Sequence, residues 1–446
     1  MSLGPPIEQG RKKVSIFGVD VLLLVSTLAL IGIGIAFIYS SGVTSTGESF
    51  SNEYVRQIIW AGTGLVLLVA ASFVDYGRFR GLSPYLYAGV ILVLILTIAF
   101  GRVVNGARSW IGIGEIGVQP SEFAKILTIF LAARYMEHIG PGIRTPVRFL
   151  ISFAICALPL GLILLQPDLG TALVYVPVFL FMAYVSGAKL HHLLFVVASG
   201  ILVIVLTVLP AYEAQIAGRS LPVVAALTDR ALVALPVAGV AAVTVLAAAG
   251  RVFLKRRYFY WIAYGGIILL VGLLGSFAAR AFIGDYAVTR LIVFLDPYVD
   301  PRGAGWHIIQ SLTAVGSGGL VGKGFLQGTQ SHYQYLPQQS TDFIFSILAE
   351  EWGFVGAVVV FGLIMVLLVR GLFIIRHAKD RFAAAVAGGI IGMFFFHFMV
   401  NVGMVIGVMP ITGIPLLLLS YGGSSLWTAM ISVGVLMSIY QRRYQY

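Results

Sequence analysis

Apolar stretches of about 20 residues recur along this chain, and no other feature constrains its fold as tightly. A helix of ~20 apolar residues crosses the hydrocarbon core of a bilayer. Inside lipid, only helices and closed barrels satisfy their own backbone. We read twelve such spans, at about 16–41, 55–74, 84–101, 122–138, 149–165, 169–186, 190–210, 231–250, 258–281, 343–369, 383–408 and 415–440. Of the 446 residues, 59% are hydrophobic and 11% charged, against ~25% charged in soluble domains. The expected fold is an all-α integral membrane protein, a polytopic bundle of about twelve transmembrane helices forming a single membrane domain. The lone cysteine, Cys156, lies within an apolar run. It excludes an intrachain disulfide and a metal site built on cysteines.

The charge of +11 follows the topology. With the N-terminus in the cytoplasm, most of the 29 Lys and Arg residues fall in the inside segments. These include Arg11, Lys12 and Lys13, then Arg78 and Arg80, Arg134, Arg144 and Arg148. Further on come Arg251, Lys255, Arg256 and Arg257, Arg370, Arg376, Lys379 and Arg381, and finally Arg442 and Arg443. Positive residues favour the cytoplasmic side, so both termini are expected there, and nucleic acid is not an expected partner. Two long segments then face outward, about 102–121 and 282–342. The second is a large loop rich in Gly and aromatic residues. Loops of that length are usually functional or disordered, and the aromatic content argues against disorder.

Ionisable residues within spans are functional candidates by default, because placing them at the bilayer centre costs ~2.5–3.5 kcal/mol. Glu122 and Lys125 share a helix face, as a packing pair or as part of a polar site. Asp168 follows Pro167 in "LLQPDLGTALV" and either caps the next helix or does chemistry. Glu350 and Glu351 fit bonds to neighbouring spans. His397 and Asn401 fit polar glue between helices. Asp342 in "STDFIF" reads equally well as a helix cap and as a reactive carboxylate. Arg108, beside Trp110, could anchor a helix end or hold a phosphate in its planar fork of donors. Lys323 lies in "GSGGLVGKG", which lacks the spacing of a nucleotide-binding loop. No metal-ligand spacing is present, so no protein metal site is expected.

The stretches "NGARSWIGIG", "QPSEFAK", "QPDLGTAL", "DPYVDPRGAGWHIIQSLTAVGSGGLVGKG", "STDFIFSILAEEWGFVG" and "GIPLLLLSYGGSS" occur in this order between residues 105 and 425. Together they resemble the SEDS family (shape, elongation, division, sporulation) of RodA and FtsW proteins, and "GTQSHYQYLP" is more similar to the RodA branch. The resemblance implies a peptidoglycan glycosyltransferase of cell elongation. It would polymerise lipid II at the outer face of the bacterial cytoplasmic membrane. It also implies a class B penicillin-binding protein as transpeptidase partner, among other membrane proteins of the elongation complex. The family's essential aspartate falls on Asp342. Two departures stand out: Gln338 occupies a place where the family commonly has Glu, and residues 222–281 add a helical hairpin to the usual ten spans.

The implied reaction joins the 4-hydroxyl of one GlcNAc to the anomeric carbon of another chain's MurNAc, with polyprenyl diphosphate leaving. An α-linked donor becomes a β-linked product, so one inversion and one general base suffice, and Asp342 is the candidate. The leaving diphosphate requires positive charge, from Arg108, from Lys323 or from a divalent cation such as Mg or Mn. Glu122, Lys125 and Asp168 are expected to shape a polar cavity beneath the loop. The competing reading is a lipid II flippase, for which polar residues should line a path across the whole membrane.

Overall fold

The computed structural model describes residues 18–44, 51–104, 106–113, 116–218, 222–229, 232–282, 285–333 and 335–444. The basic residues Arg11, Lys12 and Lys13 lie outside the described residues. The chain opens with α1 (Val21–Ser41), α2 (Glu53–Phe73) and α3 (Tyr76–Phe100). Three short strands follow: β1 (Arg102–Val104), β2 (Ala107–Ile113) and β3 (Ile116–Val118). Next come α4 (Pro120–Ile139), α5 (Pro146–Leu164), α6 (Leu169–Leu173), α7 (Tyr175–Val185) and α8 (Leu190–Tyr212). Then follow α9 (Pro222–Thr228), α10 (Ala234–Phe253), α11 (Arg257–Phe282), α12 (Asp285–Leu295), α13 (Ala304–Gly318) and α14 (Thr329–His332). The last three helices are α15 (Ile344–Arg376), α16 (Arg381–Val405) and α17 (Gly423–Gln441).

Among the described residues, 10 helices are long and apolar enough to cross a membrane: α1, α2, α3, α5, α8, α10, α11, α15, α16 and α17. The other two expected spans are α4, which carries Glu122, Lys125, Arg134 and Glu137, and the α6–α7 pair. Local chemistry sets the starts. Asp20, Asp75 and Asp380 accept from Leu23, Gly77 and Ala383 N–H and so cap α1, α3 and α16. Pro120 and Pro146 open α4 and α5, where the missing N–H is an orphan anyway. Most of α16 and α17 is buried at the centre. Around them α16 packs on α4, α7 and α15, α17 on α2, and α1 on α15. The hairpin lies outermost: α10 packs on α11, and α11 on α8.

Three features depart from the expected picture. The 102–121 segment is an antiparallel sheet of order β1-β2-β3, with Arg102 opposite Trp110 and Ile111 opposite Val118. Its Val, Ile and Trp residues favour a pleated surface, so the fold is not purely helical. The 282–342 segment contains α12, α13 and α14 rather than irregular loop alone. Finally, α15 is not one continuous span. Gly353, at φ 62 and ψ −157, breaks it.

The break at Gly353 accounts for "GSGGLVGKG". A broken helix leaves carbonyls and amides unpaired, and residues 319–324 supply the partners. Lys323 and Gly324 N–H donate to Glu350 and Glu351 C=O, both at 3.0 Å. In return, Phe354 and Val355 N–H donate to Gly319 and Leu320 C=O at 2.9 and 3.0 Å. A Cβ on Gly318 would overlap the Ala349 carbonyl, and one on Gly322 (φ 80) the Glu351 carbonyl. The glycines allow main chain to lie against main chain.

Candidate active site

Asp342 sits in a turn before α15. The N-cap of that helix is Phe343, with no side-chain cap bond, so the capping alternative for Asp342 does not hold. Its N–H donates to Gln338 C=O at 3.1 Å, and Gln338 adopts φ 51 to place that carbonyl. Its own C=O accepts from Asn401 Nδ2 at 2.9 Å. The half-buried carboxylate faces Gly413. The position of a Cβ on Gly413 would be 3.5 Å from Asp342 Oδ2 and 3.8 Å from an Nη1 atom of Arg290 on α12. Acid and base therefore flank one backbone position. Burial pushes the Asp342 carboxyl up to about 6, against the opposing pull of Arg290 and of the Thr341 hydroxyl bond; the Asp168 charge adds a smaller upward push. His307 on α13 stacks on Phe343, and burial, reinforced by Arg290, holds its pKa below the usual value.

Asp168 caps α6, as one sequence reading had it. Its Oδ1 accepts from Thr171 N–H at 3.0 Å, and its Oδ2 accepts from Thr171 Oγ1 and Gln119 Nε2, both at 2.9 Å. Gly170 packs directly on the Thr412 carbonyl, so α6 begins beside the Gly413 loop. On the other side, Arg108 N–H donates to Gln166 C=O at 3.1 Å, which seats the sheet against the turn that precedes α6. The Arg108 side chain is exposed, with Nη1 3.4 Å from Ile98 C=O. Asp342, Arg290 and Asp168 thus gather at one end of the bundle, with Arg108 at the rim.

The remaining candidates lie elsewhere. Lys125 Nζ is 2.8 Å from Glu122 Oε1 and 3.3 Å from His397 Nε2. All three residues are at most 3% exposed. Glu122 and Lys125 form the packing pair, inside the spans. Lys323 Nζ is engaged by Glu350 Oε1 at 2.7 Å and Thr329 Oγ1 at 2.8 Å. Glu350 also accepts from Thr329 and Gln330 N–H, and Glu351 from Leu326 N–H and from Ser40 Oγ on α1. Only the Ser40 bond joins a neighbouring span; the rest gather residues 323–330. Lys323 therefore anchors this segment, and the structure does not bring it together with Asp342. His397 and Asn401 bond loop carbonyls, at Pro415, Asp342 and Ile414, as well as Lys125. Sequence reasoning missed Arg290. Its only signal was an arginine in the apolar stretch "TRLIVFL".

Among the described residues, no group of three or more His, Cys, Asp or Glu side chains could hold a metal ion.

Together these features define a polytopic membrane protein with a carboxylate–arginine site where α12, the α15 turn and the Gly413 loop meet. The chain belongs to the FtsW/RodA/SpoVE family, described as cell cycle protein, whose pattern matches residues 21–219 and 215–445. It is 50% identical to the peptidoglycan glycosyltransferase RodA of Treponema pallidum (strain Nichols), over 95% of this chain and 98% of that protein. It is 32% identical to the peptidoglycan glycosyltransferase MrdB of Escherichia coli (strain K12), over 95% and 94%. Two solved structures share the fold. A chain of a peptidoglycan synthase complex that coordinates polymerization and crosslinking matches with a TM-score of 0.65 at 28% identity, covering 96% of this chain and 99% of that one. The rod shape determining protein RodA of Thermus thermophilus matches with a TM-score of 0.60 at 25% identity, over 96% and 98%.

Proposed function

We propose that this chain is a peptidoglycan polymerase that joins lipid II disaccharides into glycan strands at the outer face of the bacterial cytoplasmic membrane. The observation that carries this reading is Asp342: half-buried, free of capping duty, and set across Gly413 from Arg290. Its carboxyl, pushed up to about 6, is mostly ionised at neutral pH yet basic enough to take a proton, as general-base catalysis requires. Asp342 removes the proton of the acceptor's 4-hydroxyl as the new C–O bond forms at the donor's anomeric carbon. The anomeric bond to diphosphate breaks, and its electron pair leaves with polyprenyl diphosphate. Arg290 and the rim residue Arg108 offset that developing charge. Lys323, held by Glu350, positions the 323–330 segment instead.

A divalent cation fits this site only as a companion of the substrate. Mg²⁺ is usually bound by one or two carboxylates plus substrate phosphates. Both Asp168 oxygens already accept protein donors, which leaves Asp342 as the nearest carboxylate. Such an ion would neutralise diphosphate charge.

The positive-inside bias supports an outward Asp342 and cytoplasmic termini. By likeness to the synthase complex, the partner is a class B penicillin-binding protein that crosslinks the new strands. The buried Glu122–Lys125–His397 group is enclosed, which favours a polymerase over a flippase with an open polar path. Purified protein given labelled lipid II in detergent tests the reading. A polymerase makes glycan strands without a sealed membrane. Asp342→Asn should cut turnover by ~10²–10⁴-fold, the usual contribution of a general base. Wild-type turnover in that variant would refute the assignment.

A further inference from the structure

We infer that Asn401 is a positioning residue for this reaction: it fastens the main chain at Asp342 to the main chain at Ile414 and so sets the carboxylate against Arg290. The inference rests on the reading of Asp342 as the base. Asn401 lies on α16 and is fully buried. Its Nδ2 donates to Asp342 C=O at 2.9 Å and to Ile414 C=O at 2.8 Å. Both partners are carbonyls, which only accept, so the amide orientation is determined: the NH₂ must face them, and both its hydrogens are used. Its Oδ1, also buried, accepts no hydrogen bond from the protein.

One turn earlier, His397 fastens the next carbonyl. Its Nδ1 is 2.9 Å from Pro415 C=O and must carry the proton; its Nε2 then accepts from the Lys125 ammonium at 3.3 Å. The donors and acceptors match along this path from Lys125 to the loop. They matter because residues 410–416 form no helix or strand. Gly413 lies in this loop at φ 72. The loop is also held by Gly170 against Thr412 and by Leu416 N–H on Ser420 Oγ at 2.8 Å, and beyond it Tyr421 N–H donates to Ser340 C=O at 2.9 Å. Loosening Asn401 lets the base turn and the Gly413 loop separate, and a misplacement of ~1 Å can cost ~10²-fold in rate.

The test compares four variants in the lipid II polymerisation assay. Asn401→Ala removes both donors. Asn401→Asp keeps the shape but turns oxygen toward two carbonyls, and it carries the test if the alanine variant does not insert. Ser311→Ala is the structural control, since Ser311 bonds Val405 C=O at the end of α16 and Ser346 Oγ in the first turn of α15, and neither Asp342 nor the 410–416 loop. Asp342→Asn reports on the underlying reading. Both Asn401 variants should lose ~10²-fold in kcat with KM little changed, while Ser311→Ala keeps wild-type turnover. In Asn401→Ala the acid limb of kcat should also move to lower pH, as the carboxyl turn opens to water. Groups facing that carboxyl from other elements are Arg290 and Asp168, with Thr341 in its own turn; all remain in the variant. Unchanged kcat and acid limb in the Asn401 variants, beside a dead Asp342→Asn, would overturn the inference and leave the base standing. An equal loss in Ser311→Ala would reduce Asn401 to general packing. Full turnover in Asp342→Asn would remove both.

Discussion

Replacing Glu350 by Gln tests whether Lys323 anchors the 323–330 segment or reaches substrate. Four donors converge on the Glu350 carboxylate: Lys323 Nζ at 2.7 Å, Thr329 N–H at 2.8 Å, Thr329 Oγ1 at 3.0 Å and Gln330 N–H at 3.1 Å. The Glu350 side chain is 0% exposed and that of Lys323 27%. Breaking a fully buried pair costs ~3–5 kcal/mol, but Lys323 can turn to water, and glutamine still accepts from one or two donors. We expect the segment to open ~2–3 kcal/mol more easily, each charge-assisted bond contributing ~1.5–3 kcal/mol. At ~1.4 kcal/mol per decade, amide exchange at Thr329 and Gln330 should quicken by ~30–150-fold. Lys323→Met should give a smaller change in the same amides, and the double variant little more than Glu350→Gln alone. Hydrogen exchange with mass-spectrometric readout, beside steady-state kinetics, decides it. Unaltered exchange in Lys323→Met with a raised KM for lipid II would show that Lys323 grips the diphosphate, and the anchoring role would fall.

With the Asp342 carboxyl at about 6, kcat should fall tenfold per pH unit below that value, and a flat profile down to pH 5 would exclude Asp342 as the titrating base. The stability sign is opposite: the folded value lies above the ordinary 3.8, so ionising this group opposes folding above pH 6 and costs nothing below 3.8. In a Cys156→Ser background, a cysteine at exposed Tyr298 should label with an impermeant maleimide on intact cells, and one at exposed Lys379 only after lysis; outside labelling at Lys379 would invert the topology. Deleting residues 222–281 should leave glycan synthesis measurable, since α10 packs on α11 and α11 on α8. An inserted but inactive deletion would place the hairpin in the substrate site.

The spans were legible because a run of 20 apolar residues has one stable fate in lipid. Even α4 was legible, its four charges notwithstanding, and so was the broken α6–α7 pair. The outer segments were not. The stretch "GSGGLVGKG" could be read only as a Gly-rich part of the outer loop without nucleotide-loop spacing, yet its glycines belong to α13 or to main chain pressed against α15. Asp342 could be located, but whether it capped a helix depended on φ and ψ at Phe343, a tertiary outcome. Lys323 looked available because its partner, Glu350, is 27 residues away. Arg290 was invisible for a related reason: its proximity to Asp342 is made by Gly413, which comes from a third segment.

These contacts also explain how irregular backbone is accommodated at the end of the bundle that carries Asp342. A reaction between lipid-linked sugars needs irregular backbone near the membrane surface, where side chains can be aimed at a bond. Irregular backbone there is tolerated only where protein satisfies it. The chain meets this demand twice. At the Gly353 break, residues 319–324 pair with the freed main chain, and Glu350 and Glu351 collect the segment's remaining donors. At the Gly413 loop, Asn401 and His397 take the carbonyls of Ile414 and Pro415. Of the three acidic residues in the short stretch from Asp342 to Glu351, Glu350 and Glu351 hold irregular backbone in place, and Asp342, fastened by Asn401, faces Arg290 across Gly413.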